Sequence, residues 1–368
     1  MAAMLRIFVV AAIALSLGIS GPASAQYSRV VNVYNWSDYI DPQVLENFTT
    51  ETGIKVQYDT FDANETLETK LLAGKSGYDV VVPTAYFLER QIKAGVFQKL
   101  DKGRLKNLGN IWPEIAKRLA VYDPGNQYAV NYMWGTTGIG YNVNAVRKRM
   151  GPDAKIESWD IVFRPENLAK FRDCGVQMLD SADDIMPAAL HFLGLNPNST
   201  SPVELDKAAA LLEKIRPLVR KFHSSEYLNA LASGEVCLVV GWSGDIKQAQ
   251  KRALEAKNGV MIGYSIPKEG AQMFFDNLAI PNDAPHVSEA HAFIDYLLRP
   301  DVAAKNSDLV AYANGNLASQ NLIERSILDD KSIYPDVETM SRLYTVSARD
   351  QRSQRLVNRL WTKIKTGH

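Results

Sequence analysis

Apolar and polar residues alternate along the chain in two distinct periods, one typical of strands and one typical of helices. Residues 30–34 and 78–83 are short, nearly continuous apolar runs, which predict strands that are covered on both faces. After Asp41 and Pro42 the apolar residues recur on one helical face instead, and Gly53 ends this helix. Strands that alternate with helices in this way indicate a mostly parallel α/β sheet.

The same two patterns continue through the rest of the sequence. Apolar runs predict further strands at residues 55–58, 138–141, 236–240, 262–267 and 274–281. Helical patterns predict further helices at residues 65–73, 87–94, 144–150, 204–222, 245–256, 286–298 and 341–365. We expect Leu67, Leu71 and Leu72 to lie on one side of the first of these helices. No Gly/Ser-rich linker divides the chain, so we expect two α/β lobes joined by more than one short crossover.

Residues 1–25 have the composition of a secretory signal peptide. Arg6 supplies a positive charge, residues 7–19 are apolar, and residues 23–25 are small enough for a signal peptidase. The alternative is an N-terminal membrane anchor, which the short apolar run and the cleavage-type sequence disfavour. We therefore expect a periplasmic protein whose mature chain begins near Gln26.

The charge balance excludes one broad class of function, and the cysteines suggest one covalent feature. Lysine plus arginine and aspartate plus glutamate each total 41, so the formal net charge is zero and nothing indicates nucleic-acid binding. Cys174 and Cys237 are the two cysteines of the chain. In an exported protein two cysteines favour one disulfide, and two buried thiols are the alternative.

Aromatic residues recur at the ends of four predicted strands, and aspartates accompany three of them. These segments are residues 34–39, 83–87, 241–245 and 274–276, and none of them contains lysine or arginine. Ligands of α/β sheets bind beyond the carboxyl ends of the strands. Carboxylates pair with ammonium groups, while aromatic faces attract cations and pack against methylene groups. The segments therefore predict a site for a cation with an apolar body, such as a diammonium alkane.

Each of these residues also has a purely structural interpretation. An aspartate can cap a helix or a turn, and a large aromatic residue is usually part of a hydrophobic core. The structural alternatives are a helix N-cap for Asp245, a turn for Asp38, the first turn of a helix for Asp184, and core positions for Trp36, Trp242 and one of Phe274 and Phe275. The hypothesis of a cation site depends on the recurrence of the same residue types at separate strand ends.

At these residues the chain resembles the polyamine-binding proteins of bacterial ABC transporters, and it is most similar to their putrescine-binding branch. The matching segments run in order along nearly the whole chain that follows the signal peptide. They are residues 34–39, 51–56, 81–83, 87–91, 136–142, 222–225, 241–242, 244–245, 266–270 and 296–301.

The resemblance implies a two-lobed periplasmic binding protein fold of type II, in which each lobe is a mostly parallel sheet flanked by helices. Crossing strands form the hinge, and the ligand is enclosed between the lobes. On this basis we assign residues 26–134 and 262–308 to the first lobe and residues 135–261 and 309–368 to the second. The resemblance also implies a disulfide between Cys174 and Cys237.

The resemblance further implies a set of ligand-binding residues. Asp245 and Asp276 are expected to take one ammonium group of the ligand. Ser37, Asp38 and Asp184 are expected near the other end, with direct or water-mediated contacts. An aromatic box is expected between these ends. The whole implied set is Trp36, Ser37, Asp38, Tyr39, Thr84, Tyr86, Asp184, Trp242, Asp245, Phe274, Asp276 and Tyr312, of which Trp36, Trp242, Phe274 and Tyr312 form the box.

The sequence departs from the putrescine-binding branch at single positions. Thr84 replaces serine, Asp184 replaces glutamate, and Tyr86 is typical of the spermidine-binding branch, whereas Phe274 is typical of the putrescine-binding branch. The ligand is therefore expected among putrescine, spermidine, cadaverine and agmatine, with putrescine favoured.

The resemblance implies the substrate-binding component of an ABC importer, a monomer that works with an inner-membrane permease and needs no metal or cofactor. One alternative is a receptor that binds the same ligand but reports to a sensor kinase. Another is a thiol hydrolase that uses Cys174 or Cys237 with His223.

Overall fold

The computed structural model describes residues 29–367 of the chain. The predicted signal peptide, residues 1–25, lies outside the described residues. Between residues 29 and 367, every helix is too short or too polar to cross a bilayer.

The strands form one mixed sheet with two parallel halves. The order is β2-β1-β3-β9-β4-β7-β5-β6, and β8 and β10 also pair with β4. Strand β1 is parallel to both of its neighbours, as is β5, whereas β4 and β9 run antiparallel to each other between the two halves. The strands are β1 Val30–Trp36, β2 Lys55–Phe61, β3 Val80–Val81, β4 Ala129–Asn142, β5 Val176–Met178, β6 Lys221–Phe222, β7 Leu238–Trp242, β8 Ile262–Ser265, β9 Gln272–Ala279 and β10 Ala313–Asn314.

Helices cover the sheet and confirm the predicted α/β class. They are α1 Pro42–Thr52, α2 Asn64–Leu72, α3 Ala85–Lys93, α4 Pro113–Leu119, α5 Val143–Met150, α6 Asp160–Phe163, α7 Pro165–Leu168, α8 Ala182–Phe192, α9 Pro202–Ile215, α10 Glu226–Ser233, α11 Ser243–Ala256, α12 Val287–Leu297, α13 Pro300–Val310, α14 Arg325–Leu328, α15 Val337–Arg342 and α16 Gln351–Thr366.

Helix α1 begins and ends where its capping residues predict. The Asp41 carboxylate accepts a hydrogen bond of 2.8 Å from the Gln43 amide, which satisfies one of the first amides of the helix. Gly53 follows the helix with φ at 69°, a left-handed conformation that costs glycine little. Val44 and Phe48 are buried from this helix, so its apolar face packs on the sheet.

Several predicted elements differ from the structure in extent, and the strand expected at 78–83 is reduced to β3, Val80–Val81. The strand expected at 138–141 is the end of β4, which runs from Ala129 to Asn142 and is buried along nearly its whole length. The helix expected at 204–222 ends at Ile215, because Pro217 cannot donate the amide hydrogen bond that would continue it. The helix expected at 341–365 is divided into α15 and α16 by residues 343–350.

The predicted face of α2 is correct for two of its three leucines. Leu67 and Leu71 are buried, but Leu72 is 58% exposed. Neighbouring residues of a helix point about 100° apart, so Leu71 and Leu72 diverge at the edge of the apolar face.

The buried apolar residues form two separate clusters. The first core contains residues between 31 and 134 and between 273 and 346, and the second contains residues between 139 and 262 and between 357 and 364. The chain thus passes between the cores three times, in β4, before β9 and after Val346. Trp242 packs against both cores.

The lobe boundaries expected from the sequence stay a prediction. The expected boundary after residue 134 falls inside β4, between the two cores. The packing favours other positions for the remaining two boundaries, since Ile262 belongs to the second core while Ile323 and Ile333 belong to the first.

Candidate functional site

A cavity lies where the two cores meet, and all twelve residues expected at the site line it. Residues from β1, α3 and β9 reach it from the first core, and residues from α8, β7 and α11 reach it from the second. The expected residues at its wall are Trp36, Ser37, Asp38, Tyr39, Thr84, Tyr86, Asp184, Trp242, Asp245, Phe274, Asp276 and Tyr312. The described residues that line it include no lysine or arginine.

Asp276 is buried on β9 between two hydroxyl donors. Tyr39 donates to one carboxylate oxygen at 2.7 Å and Thr84 donates to the other at 2.6 Å. Thr84 occupies the N-cap position of α3 but its side chain makes no capping bond, because its hydroxyl donates to Asp276 instead. The Asn64 side chain holds Thr84 through bonds of 2.9 and 3.1 Å. Burial raises the pKa of Asp276 to about 7, although both hydroxyl bonds lower it.

Asp245 lies in the first turn of α11 and is partly buried. Tyr227 and Tyr312 donate to its two carboxylate oxygens at 2.7 and 2.6 Å. Burial raises the pKa of Asp245 to about 6. The alternative of a helix N-cap is wrong, since Trp242 occupies the N-cap position. Among the described residues, the Asp245 carboxylate accepts its hydrogen bonds from the phenols of Tyr227 and Tyr312.

Asp184 is buried in the first turn of α8. Its carboxylate accepts bonds from Thr137 at 2.6 Å, from Ser181 at 2.7 Å and from the Trp242 indole at 3.3 Å. Burial raises the pKa of Asp184 above its ordinary value. In the part of the chain that the structure describes, no ion pair includes Asp184, Asp245 or Asp276. These carboxylates lie around the cavity without a basic partner.

Asp38 differs from the other three aspartates because it already has a basic partner. Its carboxylate accepts a bond of 2.8 Å from Arg252 of α11, and its side chain is 49% exposed. Its φ of 54° lies in the left-handed region, so the turn after β1 directs it toward the rim of the site. Nothing in the sequence indicates Arg252 as the partner of Asp38, because the two residues are 214 positions apart along the chain.

Aromatic rings form a continuous wall between the carboxylates. Ring centroids are separated by 5.5 Å for Trp36 and Trp242, 6.4 Å for Trp242 and Phe274, and 6.3 Å for Phe274 and Tyr312, all edge to face. A Cβ at Gly244 would overlap the Tyr312 ring, so only glycine allows α11 to approach that ring. This wall contains all four residues of the expected aromatic box.

Tyr86 and Ser37 complete the expected set. Tyr86 is buried in the first turn of α3, and Ser37 follows β1 with its hydroxyl 3.4 Å from the Phe61 carbonyl. Burial raises the pKa of Tyr86 well above its ordinary value, so the phenol stays protonated and can donate a hydrogen bond.

Six further residues line the cavity and were not expected there. They are Phe61, Asp62, Asn64, Ser224, Ser225 and Leu228. The run 222–225 was among the segments that carry the resemblance, so its two serines could have been proposed. Nothing in the sequence indicates Asn64, which acts through Thr84.

Cys174 and Cys237 are joined by a disulfide, and their Cα atoms lie 5.6 Å apart. Neither cysteine lines the cavity. The alternative of a thiol hydrolase is therefore wrong, because no thiolate remains to act as nucleophile.

The family of bacterial extracellular solute-binding proteins matches residues 43–332, most of the chain. The chain belongs to this family. A putrescine-binding periplasmic protein of Pseudomonas aeruginosa is 52% identical to it, over 97% of both chains. A putrescine-binding periplasmic protein of Escherichia coli is 49% identical, over 95% of both chains. As a solute-binding protein, the chain is not an enzyme.

Solved structures show the same fold. A spermidine/putrescine transporter substrate-binding protein of Streptococcus pneumoniae superposes with a TM-score of 0.75 at 32% identity, over 92% of this chain and 99% of that chain. A GABA receptor superposes with a TM-score of 0.68 at 20% identity, over 92% of this chain and 98% of that chain, which establishes the shared fold alone. These likenesses confirm the predicted two-lobed class of solute-binding fold.

Proposed function

We propose that the cavity binds a linear polyamine, with putrescine as the preferred ligand. The observation that carries the proposal is the set of three carboxylates, Asp184, Asp245 and Asp276, which surround an aromatic cavity without a basic partner. A cationic ligand stabilises the charged form of such desolvated carboxylates, which otherwise gain protons more readily, as their raised pKa values indicate. The aromatic faces between them suit the methylene chain of a diamine.

One ammonium group lies between Asp245 and Asp276, and the other lies near Asp184. Tyr39 and Thr84 hold Asp276 in position to accept charge-assisted hydrogen bonds from the first ammonium group. Trp36, Trp242, Phe274 and Tyr312 enclose the methylene groups. Tyr86 contributes a direct or water-mediated contact at the second end, where the charge of Asp184 acts on it. Asp38 lies on the side of Asp245, whose pKa its charge raises, and Ser37 adds a further polar contact.

The ligand couples the two lobes, which we equate with the two hydrophobic cores. Asp276 belongs to a strand of the first core and Asp245 to a helix of the second. An ammonium group between them is bound fully only when the lobes are closed, so the ligand stabilises the closed state by its differential affinity. The closed monomer then delivers the ligand to an inner-membrane ABC permease.

The names of relatives support the choice of putrescine. Both relatives described above are named as putrescine-binding proteins. Relatives at 45%, 37% and 32% identity are named for putrescine with agmatine, spermidine and cadaverine, respectively. Putrescine is common to all five names, and the other three amines are the competitors to test.

Calorimetric titration of ligand-stripped protein with the four amines tests the proposal. We expect one-to-one binding of putrescine, and no heat from the carboxylate analogue GABA, which the acidic cavity repels. Absence of binding by all four amines would overturn the proposal.

The periplasmic location and the transport role need separate tests. Secretion with cleavage after residue 25 predicts a mature N-terminus at Gln26, which mass spectrometry of periplasmic extracts measures. Deletion of the gene should abolish uptake of labelled putrescine, whereas a sensing receptor would leave uptake intact.

A further inference from the structure

Two consecutive buried aspartates begin α8, but only the second lines the cavity. Asp183 and Asp184 are 3% and 2% exposed. Consecutive helical side chains point about 100° apart, so the two carboxylates leave the helix in different directions. Asp184 accepts bonds from uncharged donors at the cavity wall, as described above. Asp183 instead pairs with Arg349.

The pair of Asp183 and Arg349 is buried and held from both sides. Their side chains are 4% and 5% exposed. Arg349 comes from residues 343–350, the extended segment between α15 and α16. The Tyr122 hydroxyl donates to the Val346 carbonyl at 2.9 Å within this segment. Arg349 therefore reaches Asp183 from an anchored part of the chain.

The same segment is anchored again beside Arg349 itself. The Ala348 amide donates to a Glu89 carboxylate oxygen at 3.0 Å. Asp350 caps α16 through bonds of 2.9 and 3.0 Å from two amides of its first turn. Both neighbours of Arg349 are thus held by the fold, which orients its guanidinium group.

The charge of Asp183 acts on the cavity although its side chain does not line it. Burial raises the pKa of Tyr86 most, and the charges of Asp184 and Asp183 raise it further. Asp183 also contributes to the raised pKa of Asp184, after burial as the main cause. Charges interact strongly in a poorly solvated interior, so an unbalanced Asp183 would add to the negative potential at this end.

We propose that Arg349 is a specificity-determining residue, which neutralises Asp183 and thereby limits the negative charge at the Asp184 end of the cavity. This inference rests on the proposed polyamine function. A diamine brings a single terminal ammonium group to this end, so a limited negative charge is sufficient to balance it. A triamine brings an additional ammonium group, which is costly to bury without a partner. Arg349 thereby makes the site select diamines over triamines.

The test compares the spermidine Kd with the putrescine Kd, because their ratio does not depend on the fraction of folded protein. In Arg349→Gln the charge of Asp183 is released, and the ratio of the spermidine Kd to the putrescine Kd should fall about tenfold. In the double variant Asp183→Asn/Arg349→Gln both charges are gone, and the ratio should return to within about twofold of the parent value.

Arg149→Gln is the matched control. Arg149 pairs with Asp173 at 2.6 Å on the surface, away from the cavity lining, so its loss should leave the ratio unchanged. An unchanged ratio in Arg349→Gln would overturn the inference. So would equal ratios in the single and double variants, since lost packing and not the Asp183 charge would then be responsible.

A second variant keeps the test decisive if Arg349→Gln does not fold. Asp183→Asn leaves the Arg349 charge uncompensated, which should raise the ratio about tenfold, and an unchanged ratio there would equally overturn the inference. If the parent protein binds neither amine, the proposed function itself fails. If the parent binds putrescine and the ratio is constant across the variants, only the role of Arg349 fails.

Discussion

The phenol of Tyr312 donates a hydrogen bond of 2.6 Å to the carboxylate of Asp245, and this bond joins the two hydrophobic cores. Tyr312 belongs to the first core, whereas Asp245 lies on α11 beside Ile246 of the second core. Both residues also line the cavity. The hydrogen bond that joins the two cores is therefore also part of the wall of the proposed ligand site.

Replacing Tyr312 with phenylalanine should weaken putrescine binding while preserving the aromatic wall. The variant removes the bond to the carboxylate and also the bond of 3.2 Å that the hydroxyl accepts from the Asp245 amide. Loss of a bond to a carboxylate typically costs about 1.5–3 kcal/mol, or roughly 10- to 100-fold in Kd. Calorimetry measures the change. Tyr296→Phe is the matched control, because the Tyr296 hydroxyl bonds Glu51 at 3.4 Å and Tyr296 is not among the described residues that line the cavity. Equal affinities of Tyr312→Phe and the parent would contradict a role for this bond.

Asp276→Asn should weaken binding of every amine severely. A buried ammonium group would lose one of its two charged partners, which typically costs about 2–5 kcal/mol, so the putrescine Kd should rise at least about 30-fold. Titration calorimetry again gives the value. Asp59→Asn serves as the control, since Asp59 bonds the Tyr78 hydroxyl at 2.9 Å away from the cavity. Unchanged affinity in Asp276→Asn would remove this residue from the site.

Phe274→Trp should shift the preference toward longer amines. The Phe274 ring lies against Gly135, where an added Cβ would approach it to 2.9 Å, so a larger indole cannot extend in that direction. It must instead reshape the aromatic box. We expect the ratio of the spermidine Kd to the putrescine Kd to fall roughly tenfold, as is typical of a changed apolar pocket. The same ratio in parent and variant would count against the assignment of Phe274 to the box.

Putrescine binding should weaken as the pH falls from 8 to 5.5. Burial raises the pKa of Asp276 to about 7 and that of Asp245 to about 6 in the empty cavity. The ammonium group binds their charged forms, so below these values binding must first displace protons. The amine itself stays protonated, because its pKa is about 10. Calorimetry in buffers of different ionisation enthalpy should detect proton release near pH 6.5, and a pH-independent Kd would contradict the prediction.

Removing the disulfide should lower stability without changing the ligand preference. The bond closes a loop between cysteines 63 residues apart. Chain-entropy arguments give a loss of about 4 kcal/mol in the free energy of unfolding for a loop of this length. Cys174→Ser/Cys237→Ser should therefore unfold at a lower temperature in calorimetric scans but keep the parent order of amine affinities. A changed order would mean that the bond shapes the cavity.

The sequence by itself determined the local elements and most of the site. Helix α1 is bounded by Asp41 and Gly53, whose capping interactions span only a few residues and can be read directly. Ten of the twelve residues expected at the cavity lie in the four strand-end segments, whose aromatic and acidic residues predicted a cation site. Asp184 and Tyr312 were expected only from the resemblance to polyamine-binding proteins. The residue types at strand ends indicate the class of ligand even before the contacts of each side chain are known.

Only the tertiary structure decided which charges at the site remain uncompensated. Asp38 pairs with Arg252 and Asp183 with Arg349, across 214 and 166 residues of sequence. The tertiary structure also decided the length of β4. This strand lies centrally between β7 and β9, so both its polar and its apolar residues are buried. Such contacts depend on how distant segments pack, whereas sequence patterns report on neighbours within a few residues. The sequence therefore shows where the carboxylates are, and only the tertiary structure shows which of them line the cavity without a basic partner.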